Sequence, residues 1–292
     1  MEKKRIVITG CSGFIGSRLA EYLSNTYRIT GIDKSYWSRD IKNTIFIHQD
    51  INEPLPEMDD VYAVIHLAAK AGVRESQEKF DEYVKDNILG TKSILDMCAK
   101  SWKPKQILIA SSSSIYGERH NDEYHPKSLY AMSKVATETI AESYRNSKLL
   151  PETNICCMRI FTVYGPGQRR GLAIGNFIDN MLQDKPIVVY GDGTQRRSFT
   201  YIDDLCRGIE ELLLEGRWLP HTIDIGYSNT ASINDIIYNL SKLLNKNVTI
   251  QYEDWDRHDV YKTKSNPCGM LPTIQTPLVK GLKRQIDERQ RR

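Results

Sequence analysis

The sequence predicts an α/β fold with a doubly wound parallel sheet and a smaller C-terminal α/β domain. In the first half, short runs rich in β-branched residues alternate with segments of helical periodicity, as in a parallel sheet with crossover helices. One run, residues 61–68, is apolar almost throughout, as expected of a parallel strand covered on both faces. After Phe161 the alternation ends, and turn-rich sequence such as YGPGQ (164–168) indicates a second domain.

Each element follows from its local pattern. In the first half, strands are predicted at residues 5–9, 28–33, 44–49, 61–68, 106–110 and 155–160. Helices are predicted there at residues 14–23, about 80–100 and 130–146. In the second half we expect helices at 174–183 and 233–244 and strands at 222–225 and 248–252. The mostly charged residues 281–292 are expected to form a solvated helix end or a frayed tail.

The composition excludes several classes of protein. The 292 residues are 40% hydrophobic and 26% charged, which excludes disorder and fibrous repeats, and a net charge of +3 gives no reason to expect a nucleic-acid or membrane partner. No apolar stretch approaches the ~20 residues of a membrane span, and the run Ile6–Ile8 is too short for a signal-peptide core. Six scattered cysteines without zinc spacing indicate reduced, buried thiols, so we expect a cytoplasmic protein without a metal site.

The glycine-rich sequence TGCSGFIG joins the first predicted strand to the first predicted helix. Gly10 permits the tight turn, Gly13 lets backbone approach a pyrophosphate, and Gly16 lets helix and strand pack closely. The helix N-terminus, with Phe14 and Ile15, offers N–H groups and a positive dipole end to the phosphates. This context predicts a Rossmann-type dinucleotide site, although a plain strand-to-helix turn would carry similar glycines.

Acidic residues at two strand ends extend this prediction. Asp33 ends the second predicted strand, 17 residues after Gly16. An acid there accepts hydrogen bonds from the ribose hydroxyls of adenosine and repels a 2′-phosphate, so NAD rather than NADP is the predicted cofactor. Asp50 and Ile51 follow the third strand and are candidates for contacts with the adenine edge; a bare surface acid is the alternative for Asp50.

A second pattern predicts acid–base chemistry. Tyr130 and Lys134 stand four residues apart on one helix face, and a nearby ammonium lowers the pKa of a phenol, which makes it a usable base near neutral pH. Exposed Tyr–Lys pairs at this spacing are common, so the pair alone is weak evidence. Four serines at 111–114, however, follow a predicted strand, at the sheet edge where parallel sheets bind ligands. Together with the glycine turn, these motifs are far more specific than any one alone.

These motifs resemble the extended short-chain dehydrogenases/reductases and, within them, the NAD-dependent nucleotide-sugar epimerase/dehydratase family. The similar segments are TGCSGFIG (9–16), HLAA (66–69), NILGT (87–91), SSSSIYG (111–117), YAMSK (130–134), RIFTVYGPGQ (159–168) and GDGTQRRSFTYIDD (191–204). The resemblance implies that Tyr130 is the base, that Lys134 binds the nicotinamide ribose and tunes Tyr130, and that Ser112 is the third catalytic residue. The further cofactor-binding positions that it implies are Leu67, Ala68, Ala69 and Asn87.

The resemblance also implies a UDP site. Asn176 and Phe177 are expected along the nucleotide, and Arg197 is expected at the diphosphate, since arginine forks suit phosphate oxygens. Arg257 and Asp259, in an RHD sequence where the family often has RxGD, are expected at phosphate and ribose.

The domain organisation follows from these assignments. Residues 1–165 are expected to form the NAD-binding Rossmann domain, with segments from about 199–228 returning to it. Residues 166–292 are expected mainly to bind the UDP-sugar. The resemblance implies a homodimer in which helices such as 80–100 and 130–146 form the interface.

The residues after the catalytic hydroxyl separate the reactions of this family. Relatives that eliminate water carry an Asp-Glu pair there and decarboxylases carry a Glu, whereas this chain has Ser113 and Ser114. Serines near their free pKa neither take a proton from carbon nor deliver one to a leaving hydroxyl, so 4-epimerisation through a transient 4-keto sugar fits best. UDP-glucose and UDP-galactose are the first expectation, because theirs is the commoner activity in the family.

Other interpretations stay open. The polar residues that resemble those of UDP-glucuronate 4-epimerases are Ser113, Ser114, Thr162 and Arg169. Arg169 would pair with a C6 carboxylate, but a loop arginine near the diphosphate would look the same. A nucleotide-sugar dehydratase or decarboxylase is a further alternative. An NAD-binding sensor or scaffold without turnover is the non-enzyme alternative, and the intact serine, tyrosine and lysine argue against it.

Overall fold

A seven-stranded parallel sheet forms the centre of the protein, in a computed structural model that describes residues 2–37, 40–118, 123–168, 171–214, 219–266 and 276–291. The strands are β1 (Arg5–Thr9), β2 (Arg28–Asp33), β3 (Thr44–His48), β4 (Val61–His66), β5 (Gln106–Ser112), β6 (Asn154–Ile160), β7 (Thr162–Tyr164), β8 (Ile187–Tyr190), β9 (Arg196–Arg197), β10 (Phe199–Tyr201), β11 (Thr222–Ile225), β12 (Ala231–Ser232), β13 (Ile250–Glu253) and β14 (Lys262–Thr263).

Helices cover both faces of this sheet. The α-helices are α1 (Phe14–Leu23), α2 (Glu75–Glu78), α3 (Phe80–Tyr83), α4 (Gly90–Met97), α5 (Leu129–Asn146), α6 (Ala173–Leu182), α7 (Ile202–Leu212), α8 (Ile233–Leu244) and α9 (Leu278–Gln290). The π-helical segment Val84–Leu89 joins α3 to α4, and a second π-helical segment, Cys98–Trp102, extends α4, so that one helical run results. The helix predicted at 80–100 is this run. A 3₁₀ turn covers Ser113–Tyr116.

The strand order is β11-β6-β5-β4-β1-β2-β3, with every pair parallel. The chain runs outward from β1 to β3 and then returns to the other side of β1, so the order reverses between β1 and β4. Loops leaving the carboxyl ends of these two strands diverge and open a crevice, where doubly wound sheets bind ligands. One apolar core packs under α1, α6, α7, α8 and α9, and another packs under α4 and α5. The predicted Rossmann-type α/β fold is confirmed.

The carboxyl ends of β4 and β5 each differ from the prediction by two residues. β4 ends at His66, two residues early, because the Ala68 N–H donates to Thr9 Oγ1 and turns the chain out of the sheet. β5 continues two residues beyond its predicted end, because Ser111 and Ser112 extend its ladder with β6. Both changes bring functional candidates to the carboxyl edge of the sheet.

Shorter strands build the second half of the chain. β13 pairs with β8, β10 pairs with β7, and β9 lies between β12 and β14. α8 begins with a capping box, in which Ser232 Oγ accepts from the Asp235 N–H at 3.0 Å and Asp235 Oδ2 accepts from the Ser232 N–H at 2.8 Å. β11 returns to the central sheet beside β6, and α7 lies beside α1, where Arg18 Nε donates to Asp203 Oδ1 at 2.8 Å.

The C-terminal helix α9 is packed, so the prediction of a solvated helix end or frayed tail was wrong. Its buried residues are Gly281, Leu282, Gln285 and Ile286. Gln285 Nε2 donates to Gln168 Oε1 at 2.8 Å, and Arg289 Nη2 donates to the Gln168 carbonyl oxygen at 2.7 Å. The surrounding charged residues hid this narrow buried stripe in the sequence. α9 therefore anchors the segment that follows β7.

The described ranges hold no helix that is long and apolar enough to cross a membrane. Five free cysteines in those ranges are buried: Cys11, Cys98, Cys156, Cys157 and Cys206. Within the same part of the chain, His, Cys, Asp and Glu side chains form no cluster that could hold a metal ion.

A Gly281→Ala variant tests the packing of α9. A Cβ at this position would lie 2.3 Å from the Tyr164 hydroxyl oxygen, and Tyr164 is 1% exposed. We expect a loss of about 1–3 kcal/mol in the free energy of unfolding, measured by urea titration, from overpacking. Lys280→Ala, at the exposed neighbouring position, is the control and should change it little. Equal stability of the two variants would contradict the packed helix.

Candidate active site

The turn between β1 and α1 presses its backbone against the end of β4. Gly10 has a φ of +72°, and its N–H donates to the Ile32 carbonyl oxygen at 2.8 Å. A Cβ on Gly10 would lie 2.6 Å from the Ala68 nitrogen, and a Cβ on Gly16 would lie 2.1 Å from the Gly10 carbonyl oxygen. Glycine at both positions therefore lets turn, helix and strand end meet this closely.

The first turn of α1 is open toward the crevice. Its N-cap is Gly13, which has no side chain to cap the N–H groups, and no acid lies in the first turn. Phe14 and Ile15 begin the helix and are half-buried. The uncapped N–H groups and the helix dipole together favour an anion such as a pyrophosphate.

Asp33 ties together the two loops that border the crevice. Its Oδ2 accepts from the Ser12 N–H at 2.9 Å, and its Oδ1 accepts from the Ser35 N–H at 2.8 Å. A carboxylate offers about four lone-pair sites, so two remain for ribose hydroxyls. The backbone bonds hold the carboxylate in place, a role that the sequence did not indicate.

A cavity of about 270 Å³ fills the crevice. The predicted cofactor residues in its lining are Gly10, Gly13, Asp33, Asp50, Ile51, Leu67, Ala68 and Ala69. The sequence missed the lining residues Ser12, Lys34, Ser35 and Asp86. Lys34 Nζ lies 2.7 Å from Asp86 Oδ2, so an ion pair links the loop after β2 to the helical run after β4. No local motif signals that pairing, because its partners lie far apart in the chain.

A buried imidazole fixes the end of β4. His66 is 3% exposed and lies between Thr9 Oγ1, 2.7 Å from its Nδ1, and Thr91 Oγ1, 3.2 Å from its Nε2. Burial, and secondarily the charge of Lys134, lowers the pKa of His66 to about 3. The ring is therefore neutral at physiological pH and acts as a link between β1, β4 and α4.

Asn87 connects the loop after β4 to α5. Its Oδ1 accepts from the Lys70 N–H at 2.7 Å, and its Nδ2 donates to the Lys70 carbonyl oxygen at 3.0 Å. The same Nδ2 donates to Ser133 Oγ at 2.9 Å. At 1% exposure the amide holds two segments of the site together, and its contact with the cofactor stays a prediction.

Tyr130 lies in the first turn of α5. Ser128 caps this helix, with its Oγ accepting from the Ala131 N–H at 3.1 Å. The Tyr130 ring is half-buried and meets Tyr83 edge-on, with 6.2 Å between ring centroids. Cap and ring contact together orient the predicted base.

Lys134 lies one turn later and is 4% exposed. Its Nζ donates to the Ala110 carbonyl oxygen at 2.9 Å, near the end of β5. Burial lowers the pKa of Lys134 to about 8, against the opposing effects of Cys157 and Glu138. The amine is therefore still mostly protonated at neutral pH.

Ser112 ends β5 and caps the 3₁₀ turn. Its Oγ accepts from the Ser114 N–H at 3.2 Å and lies 3.0 Å from Ser114 Oγ. Ser112 and Ser113 are each 8% exposed, and Ser114 is half-buried. The end of β5 thus carries both the acceptor for Lys134 and the predicted catalytic hydroxyl.

The residues predicted for the nucleotide lie on β7 and α6. Thr162 begins β7 and is half-buried. Asn176 is exposed on α6, and its Oδ1 accepts from the Gly171 N–H at 3.0 Å. Phe177 is 4% exposed and packs in the larger core, so a nucleotide would contact its backbone and not its ring.

The structure brings Arg197 and Asp259 together. Arg197 Nη2 donates to Asp259 Oδ1 at 2.8 Å, and its Nη1 donates to the Tyr261 carbonyl oxygen at 3.0 Å. Arg257 lies on the same loop and is exposed. Arg169 lies outside the described residues.

Comparison with known proteins identifies the family. The sequence profile of the NAD-dependent epimerase/dehydratase family matches residues 6–226. The chain belongs to this family. Among its relatives, a UDP-glucuronate 4-epimerase of Thermodesulfobacterium geofontis (strain OPF15) is 36% identical over 96% of this chain and 94% of its own.

Solved structures of family members have the same architecture. MoeE5 in complex with UDP-glucuronic acid and NAD superposes with a TM-score of 0.92 at 30% identity, over 98% of this chain and 99% of that one. UDP-glucuronic acid 4-epimerase from Bacillus cereus, in complex with UDP-glucuronic acid and NAD, superposes with a TM-score of 0.89 at 32% identity. This match covers 98% of this chain and 99% of that one. The predicted family, and NAD as its cofactor, are confirmed.

The crevice of this chain fits NAD. The Gly10 turn leaves room for backbone contact, the open end of α1 suits a pyrophosphate, and Asp33 retains acceptor sites for ribose hydroxyls. Among the lining residues the one cation is Lys34, and it is paired with Asp86. The lining therefore favours a free ribose hydroxyl over a 2′-phosphate.

The cofactor preference can be tested at Asp33. Asp33→Asn keeps the size of the side chain but removes its charge, so NAD⁺ should bind roughly 10–100-fold more weakly, as expected for lost hydrogen bonds to a charged group. The preference for NAD⁺ over NADP⁺ should narrow in calorimetric titrations, because repulsion of the 2′-phosphate is gone. Glu53→Gln removes an exposed acid that is not among the lining residues and should leave the preference unchanged. Equal affinity of the unmodified protein for both cofactors would exclude Asp33 from the ribose site.

Proposed function

We propose that this protein interconverts the C4 epimers of a UDP-sugar, with NAD as the cofactor. The observation that carries the proposal is the arrangement beside the cofactor crevice. Ser112 ends β5, Lys134 binds the carbonyl two residues earlier, and Tyr130 lies one helical turn from Lys134. We assign Tyr130 as the base, Lys134 as the residue that binds ribose and supports the phenolate, and Ser112 as the second hydroxyl on the sugar oxygen.

The proposed residues close a proton cycle. NAD, when bound, accepts a hydride from C4 of the sugar and later returns it to the opposite face. Tyr130 takes the proton of the 4-hydroxyl as the 4-keto sugar forms and gives it back after the sugar has turned. The Lys134 ammonium, with its pKa lowered to about 8, favours the phenolate at neutral pH. The cycle leaves no net oxidation, as an isomerisation requires.

The 3₁₀ turn supports epimerisation over elimination. Ser113 and Ser114 follow Ser112 directly, and both side chains are neutral hydroxyls. Elimination of water needs one group to remove a proton from carbon and another to protonate the leaving hydroxyl. Serines supply neither, but they can donate hydrogen bonds to the C6 group of the sugar.

We infer that the sugar carries a C6 carboxylate. The relatives from T. geofontis and B. cereus are UDP-glucuronate 4-epimerases, and MoeE5 has been solved with UDP-glucuronic acid. This reverses the order expected from the sequence, which put neutral hexoses first. A neutral UDP-hexose is the second candidate, because MoeE5 has also been solved with UDP-glucose.

The proposed site divides the chain between its ligands. Residues 1–165, with returning segments at about 199–228, would bind NAD, and residues 166–292 would mainly bind the UDP-sugar.

We further propose a cytoplasmic homodimer that pairs the helices at 80–100 and 130–146. Analytical ultracentrifugation of the unmodified protein tests the dimer.

The proposed base is tested with Tyr130→Phe. This variant keeps the ring but removes the proton carrier, so turnover should fall by about 10²–10⁴-fold while NAD and UDP-sugar still bind. The assay follows the C4 configuration of UDP-sugars by proton NMR. Tyr144→Phe, which removes a hydroxyl further along the same helix, should retain activity. Near-normal turnover by the Tyr130→Phe variant would refute the assignment of Tyr130 as the base. If the unmodified protein retains NAD but converts no UDP-sugar, a sensor or scaffold would be favoured.

The proposed carboxylate is tested with Arg169→Ala. If Arg169 pairs with C6, kcat/KM for UDP-glucuronate should fall by about 10–100-fold, the loss expected for a charge-assisted pair, while UDP-glucose changes little. Arg170→Ala, the adjacent arginine, is the matched control. A uniform loss on both substrates would instead place Arg169 at the diphosphate, and no activity on UDP-glucuronate would favour the neutral hexose.

A further inference from the structure

A row of polar side chains crosses three adjacent strands at the level of the predicted catalytic hydroxyl. Ser111 in β5 is in register with Arg159 in β6, and Arg159 is in register with Asp224 in β11. Residues in register on neighbouring strands project to the same face of a sheet, so these three form a line across it. All are buried, with exposures of 4%, 6% and 9%.

Glu138 of α5 packs against this row of side chains and binds two of them, Ser111 and Arg159. It lies one helical turn after Lys134, on the same face. Its Oε1 accepts from Ser111 Oγ at 2.5 Å and from Arg159 Nε at 3.1 Å. Its Oε2 accepts from Arg159 Nη2 and from the Tyr124 hydroxyl, both at 2.9 Å. Four donors satisfy this carboxylate, which is 2% exposed.

A buried phenol connects Arg159 to a second acid, Asp224. The Tyr116 hydroxyl accepts from Arg159 Nη1 at 2.8 Å and donates to Asp224 Oδ1 at 2.6 Å. Burial, and secondarily Asp224, raises the pKa of Tyr116, so the phenol stays neutral. As far as the structure describes this network, its acids are Glu138 and Asp224 and its basic residues are Arg159 and Lys134. Loss of the Lys134 proton would remove one of the two cations.

The same contacts fix α5 on the sheet. Lys134 binds the carbonyl of Ala110, and Glu138 binds the hydroxyl of Ser111, so two successive residues of β5 hold two successive turns of the helix. A slide or rotation of α5 would break both contacts. The next residue of the strand is Ser112, and the turn of helix before Lys134 carries the proposed base.

We propose that Glu138 is a positioning residue of the epimerase reaction, holding α5 on the end of β5 through Ser111 and holding the Lys134 ammonium through its charge. The proposal rests on the catalytic roles proposed above. A purely structural role is the competing explanation. Buried ion pairs are often no more stabilising than apolar residues of similar size, so stability alone accounts poorly for this one.

The positioning role is tested with two matched hydroxyl deletions. Ser111→Ala and Tyr124→Phe each remove one hydroxyl donor from the Glu138 carboxylate, but only Ser111 connects it to β5. We expect Ser111→Ala to lower kcat about tenfold, since small misplacements of reacting groups are costly, with KM and NAD affinity nearly unchanged. Tyr124→Phe should retain kcat. Equal kcat in both variants, at similar melting temperatures, would overturn the positioning role.

The electrostatic role is tested with the pH profile of Glu138→Gln. The titratable groups around Lys134 are His66 of β4, Cys157 of β6 and Glu138, and Arg159 and Asp224 lie behind Glu138. His66 has a pKa of about 3, and burial raises the pKa of Cys157, so both are neutral between pH 6 and 9. Glu138 is then the acid that supports the ammonium directly.

Removing this acid disfavours the ammonium, so the alkaline limb of kcat should move to lower pH by about one unit, as for loss of a nearby charge. Loss of an anion also favours the Tyr130 phenolate, so the acid limb of the kcat profile should not move to higher pH. A melting temperature that falls while both limbs stay in place would establish a structural role only. If this variant does not fold, the Ser111→Ala result decides the proposal. A Tyr130→Phe protein that keeps its turnover would refute the proposed function itself, which separates the two failures.

Discussion

The contact between the Gly10 backbone and the end of β4 is the constraint on which the rest of the site depends. The contact leaves no room for a Cβ on Gly10, which would lie 2.6 Å from the Ala68 nitrogen. The contact brings α1 and the loop after β4 to opposite sides of one crevice at the reversal of strand order. Thr9 and His66 hold the second side in place from below, and Asp33 ties the first side to β2. The cofactor cavity is what lies between them.

The buried ionisable groups near the proposed base differ in their hydrogen-bond partners and in how burial affects them. His66, between two threonine hydroxyls, is held neutral by burial. Glu138 accepts hydrogen bonds from four donors, two of them on the Arg159 guanidinium. Lys134 differs from both His66 and Glu138. Its hydrogen-bond acceptor is a backbone carbonyl, and its pKa is lowered to about 8. Its charge therefore changes close to neutral pH, which suits a residue that tunes a phenol.

Features encoded by one local pattern were predictable from the sequence. The strands of the sheet, the glycine turn and the placing of Tyr130 one helical turn before Lys134 each follow from a local pattern. Roles that need a distant partner were not predictable. Glu138 meets Ser111 from 27 positions away, and Gln285 meets Gln168 from 117 positions away. A glutamate on a helix and a glutamine in a charged C-terminal segment look like surface residues until the fold supplies those partners.

Arg197, which is predicted to bind the diphosphate, has its charge satisfied within one loop. Arg197 is held by Asp259 and by carbonyl oxygens of the same loop, so a diphosphate bound there would replace one anion by another. That loop is joined to the first half of the chain by Arg74 Nε, 2.9 Å from Asp256 Oδ2, and by Glu118, which accepts from the Tyr261 N–H at 2.9 Å. Under the proposed function, these contacts fix the nucleotide anchor relative to the base. Epimerisation requires the 4-keto sugar to turn while UDP stays bound, and an anchor outside the sugar pocket permits that.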